Sequence, residues 1–318
     1  MDVLKTVLRD ICAGYSSFQY KGSEVFIKHI TQQDSYLVDS EYDKYYALAA
    51  GHNIPTRQEK LEQLERDGEW TKKNERELKE HDDYLKNLQL TLSKLAIESQ
   101  RKSIKVQIEE AQKRTNDILY KKLSLLRVTC DKYAEDKTNQ YYIYYSLFKD
   151  DLKNRYFTFD DFEELEDNEL IDLSVLYSQG IGHISIPNIK KLSVHDVFTS
   201  KYYLCGDNVH LYFNKPILDL TYNQVLLLNY GNYYKKLLIN NDVPNELLSE
   251  PDKIEEYVQT SRNTKQIIDK NQNENVGIMA NRKDMEKVTG KQAPNPLLAK
   301  LSKEGRIKGT EAAIKAIK

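Results

Sequence analysis

The chain is 318 residues long, 40% apolar and 30% charged, with a net charge of −2. That length accommodates about two domains and a buried core, and the near balance of charge creates no global field to gather nucleic acid. No run reaches the ~20 apolar residues of a membrane span, no signal peptide opens the chain, and Cys12, Cys130 and Cys205 are too scattered for a disulfide framework. An intracellular soluble protein is expected.

In chain order, "MDVLKTVLRDI" places Val3, Leu4, Val7, Leu8 and Ile11 on one helical face. "YKGSEVFIKHIT" reads as a strand or hairpin turning at Gly22, and residues 40–51 as a helix from Ser40 to Gly51. Between Gly68 and Gly180 there is neither glycine nor proline. Helix interiors exclude both residues, so most of that stretch is predicted helical.

Ahead of it, Pro55-Thr56 opens a short helix with Leu61 and Leu64 inward and Gly68 at C′. Thr71 is the expected N-cap of the next helix, with Glu75 and Glu77 near its positive end. Trp70, the one tryptophan in the chain, is placed to staple onto the first turn. Leu78, Leu85 and Leu92 then recur every seventh residue, as do His81, Leu88 and Leu95. This is an a/d seam of about three heptads. A second periodic run follows at Ile97, Ile104, Ile108, Ala111, Ile118, Leu119, Leu123 and Leu126. The polar link "ESQRKS" either bends into an antiparallel hairpin or continues as one helix of about 95 Å to Asp136. The hairpin is the favoured reading, because so narrow a seam needs a partner helix from this chain or another.

Beyond it, "FTFDDFEELEDNELIDLSVLYSQG" is expected to be a helix capped near Asp160 and ended at Gly180. "VHLYFNKP" is expected to be a strand, with Gly206-Asp207-Asn208 as its turn. Thr221 and Gln224 form a capping box for an apolar helix running to about Ile239. A last helix follows Pro251, then a polar linker from "NTKQIIDKNQNENVG" and a basic tail. The resulting expectation is a mainly α protein: a long helical hairpin or coiled-coil arm on a small α+β globular part with a flexible basic C-terminal tail. The expected divisions are a lead-in over 1–54, the arm over 55–148, a globular domain with a short hairpin over 149–258, and a partly disordered tail over 259–318.

Motifs of chemistry are scarce. None of the six histidines pairs with another at i+4 or with a cysteine at zinc spacing; Cys205 and His210 come closest, and two ligands make no site. Gly290-Lys291 lacks the upstream glycine of a phosphate loop, "GIGH" at 180–183 is a fragment of a dinucleotide loop, and no G-x-S-x-G elbow occurs. The acidic pairs Asp160-Asp161 and Glu163-Glu164 read as a solvated helix start. No enzyme activity, metal or cofactor is expected. The basic tail could follow a phosphate backbone, but without aromatics to stack on bases it fits docking onto an acidic or helical protein equally well.

The blocks "GSEVFIKHIT" and "YYALAAGHNIPTRQEKLEQLERDGEWTKKNERELK", with "FNKPILDLTYNQVLLLNYGNYYKKL" and "VPNELLSEPDKIEEYV" further on, resemble a group of tail assembly chaperones and baseplate or tail assembly proteins of large tailed phages. The similar stretches cover about a third of the chain in the same order, and none carries chemistry. The resemblance implies a non-enzymatic assembly role in the host cytoplasm or in the virion, with a helical tail component as partner. Trp70, Leu78, Leu85, Leu88, Leu92, Leu95, Leu220 and Gln224 are the expected partner-binding residues, with self-association through the arm as a further expectation. A nucleic-acid-binding accessory protein using the basic tail is the alternative.

Overall fold

The run without glycine or proline is helical over most of its length, and it organises the chain. A computed structural model describes residues 3–206 and 208–274; the polar linker beyond Glu274 and the tail lie outside these. The described chain is mainly helical, with one small antiparallel sheet, and separates into two units. Of the described residues, the first takes those up to Glu80 with Thr115–Val258, the second His81–Arg114 with those from Gln259 on.

The first unit begins with helix α1 (Val3–Ala13) and strands β1 (Tyr15–Tyr20) and β2 (Ser23–Lys28). The strands pair in register from Tyr15 opposite Lys28 to Tyr20 opposite Ser23. Lys21 and Gly22 turn the hairpin at φ 48° and 81°. Two successive positive φ values match the right-handed twist of the flanking strands. Helix α2 (Gln32–Gly51) starts eight residues before the expected Ser40, because Thr31 and Asp34 form a capping box. Helix α3 (Arg57–Arg66) starts where expected, with Thr56 as its N-cap and Gly68 at φ 74° behind it.

Helices α4 (Lys72–Lys94) and α5 (Glu98–Leu125) each contribute one end to this unit. Here Trp70 and Leu78 pack with Leu64, Ile118 and Leu126. The second periodic run does not continue to Asp136. Thr129 leaves the helix and caps α6 (Cys130–Ser146), while Cys130 N donates to Pro55 O at 2.9 Å. Strand β3 (Leu147–Phe148) then adds to β2 as the third strand.

The expected single acidic helix divides into α7 (Phe159–Glu163), capped by Thr158, and α8 (Asp167–Ile181), with the Glu169 carboxylate accepting from Glu166 N. Gly180 lies inside α8, where an added Cβ would come 2.9 Å from Ile27 Cδ1. The close approach of helix to sheet therefore explains this glycine, rather than a helix stop.

Helices α9 (Ile186–Val194), α10 (Asp196–Tyr202) and α11 (Tyr222–Asn240) follow. Val7 and Ile11 of α1 are fully buried against Ile189, Leu192 and Leu227. The expected strand in "VHLYFNKP" is instead a 3-10 turn over Val209–Tyr212. Tyr212 and Phe213 both pack on this core, which adjacent residues of a strand, facing opposite ways, could not do. The Thr221–Gln224 capping box forms as expected. Helix α12 (Pro251–Glu274) runs on through most of the expected linker, which begins at Asn263; its Ile254 and Val258 pack on Tyr234 and Leu237.

The second unit is a helical hairpin with a third helix against its turn. Residues 81–94 of α4 and 98–114 of α5 join through Leu95, Ala96 and Ile97, so the reversal precedes "ESQRKS", which is helical. Leu85 and Leu88 bury against Ile104, Ile108 and Ala111. Arg101 Nη1 donates to the carbonyls of Leu92 and Leu95, both at 3.0 Å. Asn263 Nδ2 donates to Ser93 O and Leu95 O at 2.8 and 3.1 Å, and Gln259 Nε2 to Ser93 O at 2.8 Å. Together they satisfy carbonyls that a helix end leaves without partners.

Leu88→Asp should destabilise the chain by on the order of 3 kcal/mol, since it buries a carboxylate in an apolar seam; urea unfolding of the full chain reads this directly, and an unchanged midpoint would contradict the packing. Gly231 of α11 gives a second check. An added Cβ would stand 2.9 Å from Phe198 Cε1 and 3.1 Å from Tyr202 Cζ. Gly231→Ala should cost about 1–3 kcal/mol by overpacking, despite alanine's helix preference of about 1 kcal/mol.

Candidate functional site

Most of the residues expected to face a partner are occupied inside the chain. Trp70 is 2% exposed, and its indole N–H donates to Glu75 Oε1 at 2.7 Å. Lys122 Nζ pairs with the same carboxylate at 2.6 Å and lies 5.8 Å from the centre of the indole ring. Burial works against the Glu75 carboxylate, yet the bonds from Lys122 and Trp70 hold it below the ordinary carboxylate range. Leu85 and Leu88 are buried in the hairpin seam, and Leu78, Leu92 and Leu95 are half-buried. Leu220 lies in the core beside α1. Gln224 is 0% exposed, its Oε1 accepting from Thr221 N and its Nε2 donating to Ile11 O at 2.8 Å. The helix that fills the α4 seam is therefore α5 of the same chain. Of the eight, Trp70, Leu85, Leu88, Leu220 and Gln224 present no free surface.

Part of what stays open lies on α5. Leu119, Tyr120 and Leu123 are 39%, 69% and 47% exposed. The periodic reading had placed Leu119 and Leu123 inward. Ile118 and Leu126 do turn toward Trp70 and Leu64, so Leu119 and Leu123 fall about a third of a turn away. They form a second apolar stripe that faces solvent.

A different kind of site lies at the end of β2. A cleft of about 540 Å³ has an apolar wall of Tyr142, Tyr177, Ile181 and Ile184, with Lys28, His29, Thr31 and Asn223 on its polar side. Below it is a buried polar cluster. His29 Nε2 meets Ser16 Oγ at 3.0 Å, and the Asp10 carboxylate accepts from Arg9 Nε and pairs with His183 Nε2, both at 2.8 Å. Asp10, Ser16 and His29 are all buried. His29 Nδ1 has no hydrogen-bond partner. Desolvation holds the imidazole neutral, lowering its pKa to about 4 against a partly compensating attraction from Asp10. The sequence carries one hint of this cluster: Asp10 shares the buried face of α1 with Val7 and Ile11, and a buried carboxylate requires partners.

Cys205 Sγ donates to Lys201 O, whereas the His210 side chain lies outside the described ones. Burial pushes the Cys130 thiol up, away from thiolate reactivity. Among the described residues no three His, Cys, Asp or Glu side chains gather as metal ligands, and no helix is long and apolar enough to cross a membrane. No protein-family model, curated protein or solved structure matches the chain.

His29 makes stability depend on pH. Its folded-state pKa of about 4 lies below the unfolded value of ~6.5. Its contribution is therefore fully present above about pH 6.5 and is lost as pH falls toward 4, by roughly 3 kcal/mol in all. Imidazole NMR should show His29 neutral down to about pH 4, and His29→Asn should flatten this part of the stability profile. A His29 resonance titrating near pH 6.5 would contradict its burial.

Proposed function

We propose that this chain is a non-enzymatic assembly protein that binds a helical protein partner, of the tail-assembly kind its sequence blocks resemble. The observation that carries this reading is the second apolar stripe on α5, where Leu119, Tyr120 and Leu123 face solvent although the inner face of the same helix is already filled. Helical spacing of apolar side chains suits an amphipathic helix laid alongside. The packing of Ile118 and Leu126 on Trp70 and Leu64 plays a supporting part: it anchors this end of α5, which limits the ordering cost of association.

Co-expression with tape-measure, tube and baseplate proteins of a tailed phage, followed by pull-down, tests the reading. One of them should be retained at moderate salt, and Leu119→Asp with Leu123→Asp should abolish retention without changing the far-UV circular dichroism. Failure to retain any, together with DNA binding that weakens steeply with salt, would replace this reading by the nucleic-acid alternative.

A further inference from the structure

The buried side of α8 packs on the sheet, where Leu173 and Tyr177 join the core around Ile27. Its outer side is apolar as well. Ile171 and Val175 are 60% and 50% exposed, and their spacing of four residues places them on one face. A surface helix ordinarily turns polar residues to solvent, so this pair serves something other than the core. With Leu170 and with Gln140 of α6 it lines an open groove of about 520 Å³ whose lining carries no charge.

The charge around the groove defines what it receives. From Tyr156 to Gly182 the sequence has eight Asp and Glu and no Lys or Arg. Among the described residues only Glu169 of these has an ion-pair partner, Lys21 at 2.6 Å. Asp167 precedes Ile171 by four residues and Asp172 precedes Val175 by three, so two exposed carboxylates neighbour the apolar pair on the helix surface. On the opposite wall α6 sets Lys137 one turn from Gln140, so the negative potential runs along α8. A segment of matching chemistry exists in this chain. Beyond Glu274, where the described residues end, residues 275–318 hold ten Lys and Arg against four Asp and Glu. Residues 295–318 alone combine six Lys and Arg with six Leu and Ile, a basic and apolar content complementary to the groove and its carboxylates. We infer that the outer face of α8 is a socket for residues 295–318 of a second copy of this chain. The groove takes leucine and isoleucine side chains, and Asp167 and Asp172 take the cations between them. Socket and segment are different surfaces, so the contact is heterologous and copies add head to tail.

Sedimentation of the full chain from about 1 to 200 µM tests this. Self-association should appear at low salt and weaken at least about tenfold in about 0.5 M salt. Ile171→Asp with Val175→Asp, both at exposed positions, should lower the association constant at least about tenfold without changing the far-UV circular dichroism. Lys300→Glu with Lys303→Glu should do the same. The two variants mixed should associate again, one to one and no further, because each keeps the half that the other lacks. Leu119→Asp with Leu123→Asp should leave self-association unchanged, so this inference and docking through α5 fail separately. A chain that stays monomeric throughout, association that survives the α8 pair of changes, or a mixture of variants that does not associate would overturn it.

Discussion

A helix that ends in a tight reversal leaves carbonyls pointing at nothing, and the rest of the hairpin depends on how the end of α4 resolves that. Arg101, Asn263 and Gln259 reach the carbonyls of Leu92, Ser93 and Leu95. Arg101 and Asn263 are about as buried as the leucines of the seam. These bonds supply the carbonyls at the end of α4 with partners that the helix itself cannot provide. With the reversal fixed, α5 returns alongside α4, and the apolar seam closes within the chain.

Closing the seam changes where a partner could be received. A narrow a/d stripe on an isolated helix is an invitation to another helix, but here Leu85 and Leu88 already have one. Trp70 packs with Leu64 and Leu126, and its N–H is satisfied by Glu75. The remaining apolar surface on α5 has no such occupant within the described chain. Leu119, Tyr120 and Leu123 expose side chains whose burial would contribute on the order of 1–2 kcal/mol each. That energy is available to association rather than to folding.

The parts of this structure legible in the sequence are those fixed by local chemistry. The glycine- and proline-free run, the turn at Gly22, and the capping boxes at Thr56 and Thr221 all follow from residues within a few positions of one another. The hairpin reversal at 95–97 falls several residues before the expected link because it contains no breaker, and its stabilising side chains come from α5 and from α12. Thr31 with Asp34 was a readable cap, and overlooking it shortened α2. Residues 209–213 alternate convincingly enough for a strand, yet Tyr212 and Phe213 are both drawn onto one core. As for the candidate site, the heptads favoured a hairpin within the chain, and α5 does meet Leu85 and Leu88; that filling the seam leaves these leucines little free surface follows only from the packing. The Asp10, His29, His183 and Ser16 cluster joins α1, the hairpin and the end of α8, and no spacing rule connects positions so far apart.

The buried cluster and the α5 stripe draw on different physics. One is a polar site held in low dielectric, where a missing partner is costly; the other is a solvent-facing apolar surface on a charged helix. The account rests most heavily on the claim that the α4–α5 seam is internal and the outer face of α5 receives the partner. Hydrogen exchange of the full chain, alone and in complex with the retained tail component, measures this most directly. Residues 115–125 should gain protection in the complex while residues 85–88, already protected in the free chain, should not change. Protection gained at 85–88, with 115–125 unaffected, would show that the seam opens to the partner and would contradict the account.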